Sequence, residues 1–175
     1  METGAFIVIA LRLIVPLIIF RYPFWGGIVS MLLDGADVIL IDLIGLGGFG
    51  GHYHATDKVL DSYYLVIELI VALRWDNAWA KWTAAILFGY RAIGVIAFEA
   101  TGARIALFIF PNMFENWWLY CAAVFQYWPR LAPRSWKTTL VPLAILLVPK
   151  MGQEYLLHFA EAKPWSWTKE NILHV

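Results

Sequence analysis

Residues 31–64, MLLDGADVILIDLIGLGGFGGHYHATDKVLDSYY, decide how the rest of the chain is read. Asp34 and Asp37 sit three apart inside a run that is otherwise apolar. After a glycine-rich break, Asp57 and Asp61 sit four apart at the head of the next apolar run. Spacings of three and four bring side chains onto one helical face. The pattern predicts two helices, each turning a pair of acids toward a common point. The flanking sequence reads as bilayer-spanning, where an ionised carboxylate is costly unless paired, hydrated or bound to a cation.

Composition sets the class. Of 175 residues, 61% are hydrophobic and 15% are charged, with mean hydropathy +0.66. Soluble domains carry roughly 45–50% apolar residues, and a soluble fold of this length has no means of hiding the excess. The expectation is an all-α integral membrane protein, a bundle of about six transmembrane helices. The 13 basic and 13 acidic residues balance. No polyanion-binding signature is present, and nucleic acid is not an expected partner. The single cysteine, Cys121, has no partner for an internal disulfide and reads as a small packed hydrophobe.

A bilayer core is crossed by ~20 mostly apolar helical residues. Six segments meet that standard: 5–20, 24–46, 56–73, 78–100, 103–127 and 138–159. The first holds Arg12 and Pro16 and is read as a span rather than a cleavable signal. The second holds Asp34, Asp37 and Asp42, and glycines from Gly45 to Gly51 break it. Thr56-Asp57 reads as the start of the third, its acids at the positive end of a helix dipole. Pro111 predicts a kink in the fifth. Pro149 predicts either a kink in the sixth or its end, with an amphipathic interfacial helix beyond. Residues 1–162 are expected to form a single transmembrane domain, and 163–175 a polar interfacial tail.

Ten tryptophans are present. Trp75, Trp79 and Trp82 flank one loop, and Trp128 and Trp136 another, the pattern of an aromatic belt. Trp117, Trp118 and Tyr120 either join that belt or pack against a neighbouring subunit or pigment. With six spans, Arg21, Arg74, Lys81, Arg130, Arg134 and Lys137 lie on one side, and Lys58, Arg104, Lys163 and Lys169 on the other. Positive-inside counting then favours an external N-terminus.

On the third span Asp57, Asp61, Tyr64 and Glu68 advance by four, three and four, forming a polar stripe. On the second, Asp34 and Asp37 share a face while Asp42 is rotated away. The short glycine-rich join makes the two spans antiparallel neighbours, with a site opening toward the 47–54 loop. Four carboxylates so placed cannot all ionise without counter-charge. Three solutions are open. Hard oxygen donors in this number suit Mg²⁺, Mn²⁺ or Ca²⁺; the acids can pair with Arg12, Lys58 or Arg91; or protonated acids can hydrogen-bond between helices. His52 and His54 lack the further ligands of a transition-metal site and read as loop or interfacial histidines. His158 could join them only through the tertiary fold. GLGGFGG lacks the lysine and hydroxyl residue of a phosphate-binding P-loop. Arg91 and Glu99, about 80° apart around the fourth span, are expected to bond to neighbouring helices rather than to each other.

Asp34-x-x-Asp37 followed by Asp57-x-x-x-Asp61 resembles the motif of the CDP-alcohol phosphotransferases: DxxDG, two residues, AR, a gap, then GxxxDxxxD. RLIVPLIIF and DKVLDSYY look like that family's first and third spans, so the resemblance lies in the first three spans. The motif is degenerate. Val38 and Tyr53 stand where the family has glycine, and Ile41-Asp42 stands where it has alanine-arginine. The resemblance implies a divalent metal pair, Mg²⁺ or Mn²⁺, held by Asp34, Asp37 and Asp57. Asp61 would be a further ligand or the base that activates an acceptor hydroxyl. It implies a membrane transferase moving a phosphoalcohol group from a CDP-linked donor to a hydroxyl acceptor. Membrane lipid is the expected partner, and a bacterial or archaeal inner (cytoplasmic) membrane the location.

A second reading keeps the fold but not the reaction. In it the chain is a non-catalytic accessory subunit of a larger bilayer complex, of respiratory or photosynthetic type. A homo-oligomer or a subunit of such an assembly is the expected state. A proton or cation pathway along Asp57, Asp61 and Glu68 is a third reading.

Overall fold

The computed structural model describes the backbone of residues 3–43, 53–103 and 105–156, and side chains over 6–36, 59–103 and 105–156. Among the described residues the regular structure is entirely helical, with no strand. The chain divides into two compact units, Met1–Val71 and Ala72–Val175.

In the first unit, helix α1 (Thr3–Ile14) gives way to a 3₁₀ segment, Val15–Phe20. Pro16 is the cause: it has no N–H to donate, and its ring would strike the carbonyl of residue 12 in a continuing α-helix. The uniform first span expected over 5–20 is therefore corrected to two helical geometries in series. Helix α2 (Pro23–Leu43) opens on a proline, which suits a first helical position whose N–H is unsatisfied anyway. It packs on the 3₁₀ segment most closely at Gly26. A Cβ there would lie 2.6 Å from the Ile19 backbone nitrogen and 2.8 Å from its Cα, so only glycine fits.

Helix α3 (Tyr53–Leu73) begins before the expected Thr56-Asp57 start. After Gly51 the sequence contains no breaker, so helix geometry reaches back through His54 and Tyr53. Leu60, Tyr64, Ile67, Glu68 and Val71 make its buried face. The stripe read as polar thus turns inward at Tyr64 and Glu68, flanked by aliphatic side chains.

In the second unit, helix α4 (Ala78–Thr101) is capped by Asn77, whose Oδ1 accepts from the Ala80 N–H at 3.0 Å. Gly102, at φ 67°, ends it in the left-handed conformation that glycine adopts freely. Its 24 residues make ~36 Å of helix, against ~30 Å of bilayer hydrocarbon. Among the described residues it is the one helix long and apolar enough to cross a membrane on length and composition; Phe6–Phe20 is apolar but shorter.

The segment expected as the fifth span is two helices rather than one kinked helix: α5 (Ile105–Ile109) and α6 (Met113–Tyr127). Pro111 forces the residue before it out of helical geometry. Asn112 then starts α6 afresh, accepting from the Glu115 N–H. Helix α7 (Trp136–Glu154) opens with a reciprocal Ser135–Thr138 capping box and runs through both Pro142 and Pro149. Residues 157–175, with His158 and the expected tail, lie outside the described residues.

Trp117 and Trp118 are fully buried in this unit's own core, with Phe114, Cys121 and Val124. That corrects both expectations for those tryptophans. Ala80 and Ala84 on α4 are small enough to let α6 approach, and Trp117 Nε1 donates to the Ala80 carbonyl at 3.2 Å. Trp75 stacks edge-on to Phe125 and tilted against Trp118. Trp79, Trp82, Trp128 and Trp136 are exposed at helix ends.

Candidate functional site

The first unit centres its polar chemistry on Arg12, near the end of α1. The side chain is buried at 5% exposure, which a guanidinium tolerates only with partners of opposite charge. Its Nη2 donates to Asp34 Oδ1 on α2 and to Asp61 Oδ1 on α3. One cation therefore gathers acids from two helices onto a third. Both carboxylates keep substantial exposure, 39% for Asp34 and 44% for Asp61, so they face outward while the arginine lies inside.

The neighbours are mostly apolar. Leu33, Leu60, Pro16, Tyr64 and Ser30 complete a narrow cleft against Arg12 and Asp34, with room for no more than about one water molecule. Ser30 lies one helical turn before Asp34 and is itself buried. Its hydroxyl has no hydrogen-bond partner among the described residues. Tyr63, next along α3, donates to the Leu13 carbonyl at 3.0 Å and ties α3 to α1 beside Arg12.

Of the four expected metal ligands, Asp34 and Asp61 are brought together. Asp37 lies on α2 one turn past Asp34, and Asp57 lies on α3 one turn before Asp61. The helical backbone thus carries them toward the 44–52 segment in sequence; their side chains lie outside the described residues, as do those of Lys58 and His54. His52 lies outside them altogether. Among the described residues no group of three or more His, Cys, Asp or Glu side chains could hold a metal ion. Carboxylate oxygens are the donors Mg²⁺ or Mn²⁺ prefer, but Oδ1 of both Asp34 and Asp61 is engaged by the guanidinium. A cation binding here would share those two acids with Arg12.

Arg91 donates to the Phe110 carbonyl at 3.0 Å, so it bonds to a neighbouring element as the sequence suggested. A second buried polar group was not anticipated. Lys150 and Glu154 on α7 pair at 3.1 Å, both almost fully buried. Glu154 Oε1 also accepts the Asn112 backbone N–H at 3.3 Å, and Lys150 donates to Gln153 at 3.1 Å. The i,i+4 spacing of opposite charges just after Pro149 was the available signal. The first unit's cluster joins helices through a cation, whereas this one docks the start of α6 onto α7.

No family model matches the chain, and no curated protein or solved structure is similar to it.

Proposed function

We propose that the chain is a divalent-metal-dependent membrane transferase built as a bundle of about six transmembrane helices. It resembles the CDP-alcohol phosphotransferases and moves a phosphoalcohol group from a CDP-linked donor to a hydroxyl acceptor at a prokaryotic inner membrane. The observation that carries the proposal is the meeting of Asp34 and Asp61 at Arg12. Acids spaced along two different helices converge on one point, as a shared site requires. Carboxylates presented from two helices are the hard oxygen donors that a Mg²⁺ or Mn²⁺ ion takes.

Phosphoryl-type transfer depends mainly on positioning and charge neutralisation, and the bound ion supplies the latter. In this proposal Asp34, Asp37 and Asp57 hold it, and Arg12 fixes the separation of α2 from α3. Asp61 is exposed enough to reach an acceptor and takes its hydroxyl proton. Membrane lipid supplies the acceptor or the donor tail. The test is CMP release from a panel of CDP-linked donors by protein purified in detergent. Wild type is expected to release CMP with Mn²⁺ present, and Asp57→Asn to lose both release and Mn²⁺ binding by calorimetry. Silence across the panel, or Mn²⁺ binding unchanged by Asp57→Asn, overturns the reading.

A second reading is favoured by the same arginine. A buried guanidinium matched to two acids is a self-sufficient crosslink of three helices, as an accessory subunit of a larger bilayer complex would use. Gentle extraction followed by native mass measurement separates the two. A stable hetero-complex with no CMP release supports the subunit, and a homo-oligomer that releases CMP supports the enzyme.

A further inference from the structure

The second unit carries a long apolar groove between α4 and α7 that its own core does not fill. One cavity of about 300 Å³ lies between Trp79 on α4 and Trp136 on α7. Another of about 540 Å³ continues from it, sharing Leu87, Leu140 and Leu143 and ending at Met151. From Trp79 to Tyr90 the α4 wall is ~16 Å long, against ~15 Å for one leaflet of hydrocarbon.

The walls select for chemistry. Three hydroxyls line the groove, Tyr90, Thr139 and Thr83, and two of them already donate to carbonyls: Tyr90 to Ile109 at 2.7 Å and Thr139 to Ser135 at 2.9 Å. The rest of the lining is aliphatic, aromatic or thioether, so an occupant is apolar along its length from Met151 to the tryptophan end.

That end is cationic. The Asn77 side chain donates to the Pro133 carbonyl at 2.7 Å, which holds the N-termini of α4 and α7 together. Both helices direct the positive ends of their dipoles there. Within 74–81 and 128–137 lie Arg74, Lys81, Arg130, Arg134 and Lys137, against the single acid Asp76. Lys137 lies over the Trp136 ring at 5.3 Å, and Arg134 donates to the Pro129 carbonyl.

We infer that this groove binds one acyl chain of an anionic phospholipid, with the phosphate headgroup at the paired helix N-termini and the tail running toward Met151. The inference rests on the membrane placement proposed above and not on chemistry at the acids. Shape supplies the tail site, and the basic mouth supplies preference for a negative headgroup.

Full-length protein extracted in mild detergent, stripped of lipid and exposed to vesicles of phosphatidylglycerol or phosphatidylcholine, tests it by native mass spectrometry. The expected result is retention of one phosphatidylglycerol per chain in preference to phosphatidylcholine. Ala144→Phe places a ring in the groove from an exposed position and should lower retention about tenfold. The surface variant Arg134→Gln/Lys137→Gln should keep its unfolding temperature and lose the headgroup preference. Equal retention of both lipids by wild type, or retention unchanged by Ala144→Phe, overturns the groove. Recovery of the chain in the soluble fraction would instead overturn the membrane placement on which it rests.

Discussion

Arg12 is the residue on which the first unit's electrostatics turn. Removing one partner of a buried ion pair costs about 3–5 kcal/mol, whereas exposed pairs contribute about 0–1 kcal/mol. Here the cation is buried but both carboxylates are more than a third exposed, so an intermediate cost applies. Arg12→Gln should destabilise the folded chain by about 2 kcal/mol, read from denaturant unfolding in detergent. The cause is separable from lost packing. With Arg12 absent, Asp34 and Asp61 repel, so adding Asp61→Asn should restore part of the loss. An Arg12→Gln variant as stable as wild type would show that the guanidinium is not what holds these helices.

The helices show what was legible at the level of elements. Hydropathy located α4 closely, because Asn77 and Gly102 bracket a mostly apolar run that holds Lys81, Arg91 and Glu99 but no proline. It failed at Pro16, where hydropathy continues but backbone geometry does not; at Pro111 the expected kink is a full break between α5 and α6. A hydropathy window registers the side chain of proline and not its missing N–H. Of the four acids that the sequence singles out, Asp34 and Asp61 meet at Arg12, while the side chains of Asp37 and Asp57 lie outside the described residues. The Gly26 contact was not legible, since it depends on which backbone passes nearby. Gly26→Ala would drive a methyl into the Ile19 backbone and should cost about 1–3 kcal/mol, the range of overpacking. Gly35 and Gly89 are helical with nothing within 4 Å of an added Cβ. Alanine at either should stabilise by about 0.5–1 kcal/mol, because it restricts the unfolded chain more than the folded one. Unfolding midpoints of the three variants check this; a Gly26→Ala midpoint equal to that of Gly35→Ala would remove the close approach.

At the scale of the molecule, the path of the second unit constrains membrane topology. In the six-span reading α4 leaves one face at Asn77, α5 and α6 together return to it at Trp128, and α7 departs from it at Trp136. The Asn77–Pro133 hydrogen bond joins these turns within that unit, so segments 74–81 and 128–137 belong to one face. Cys121 is buried, which suits a cysteine-labelling experiment: a Cys121→Ala background carries Lys81→Cys or Arg130→Cys, both outside the core. A membrane-impermeant maleimide applied to sealed, oriented vesicles should modify both sites from the same side. Modification from opposite sides would break the reading of α5 and α6 as one return crossing.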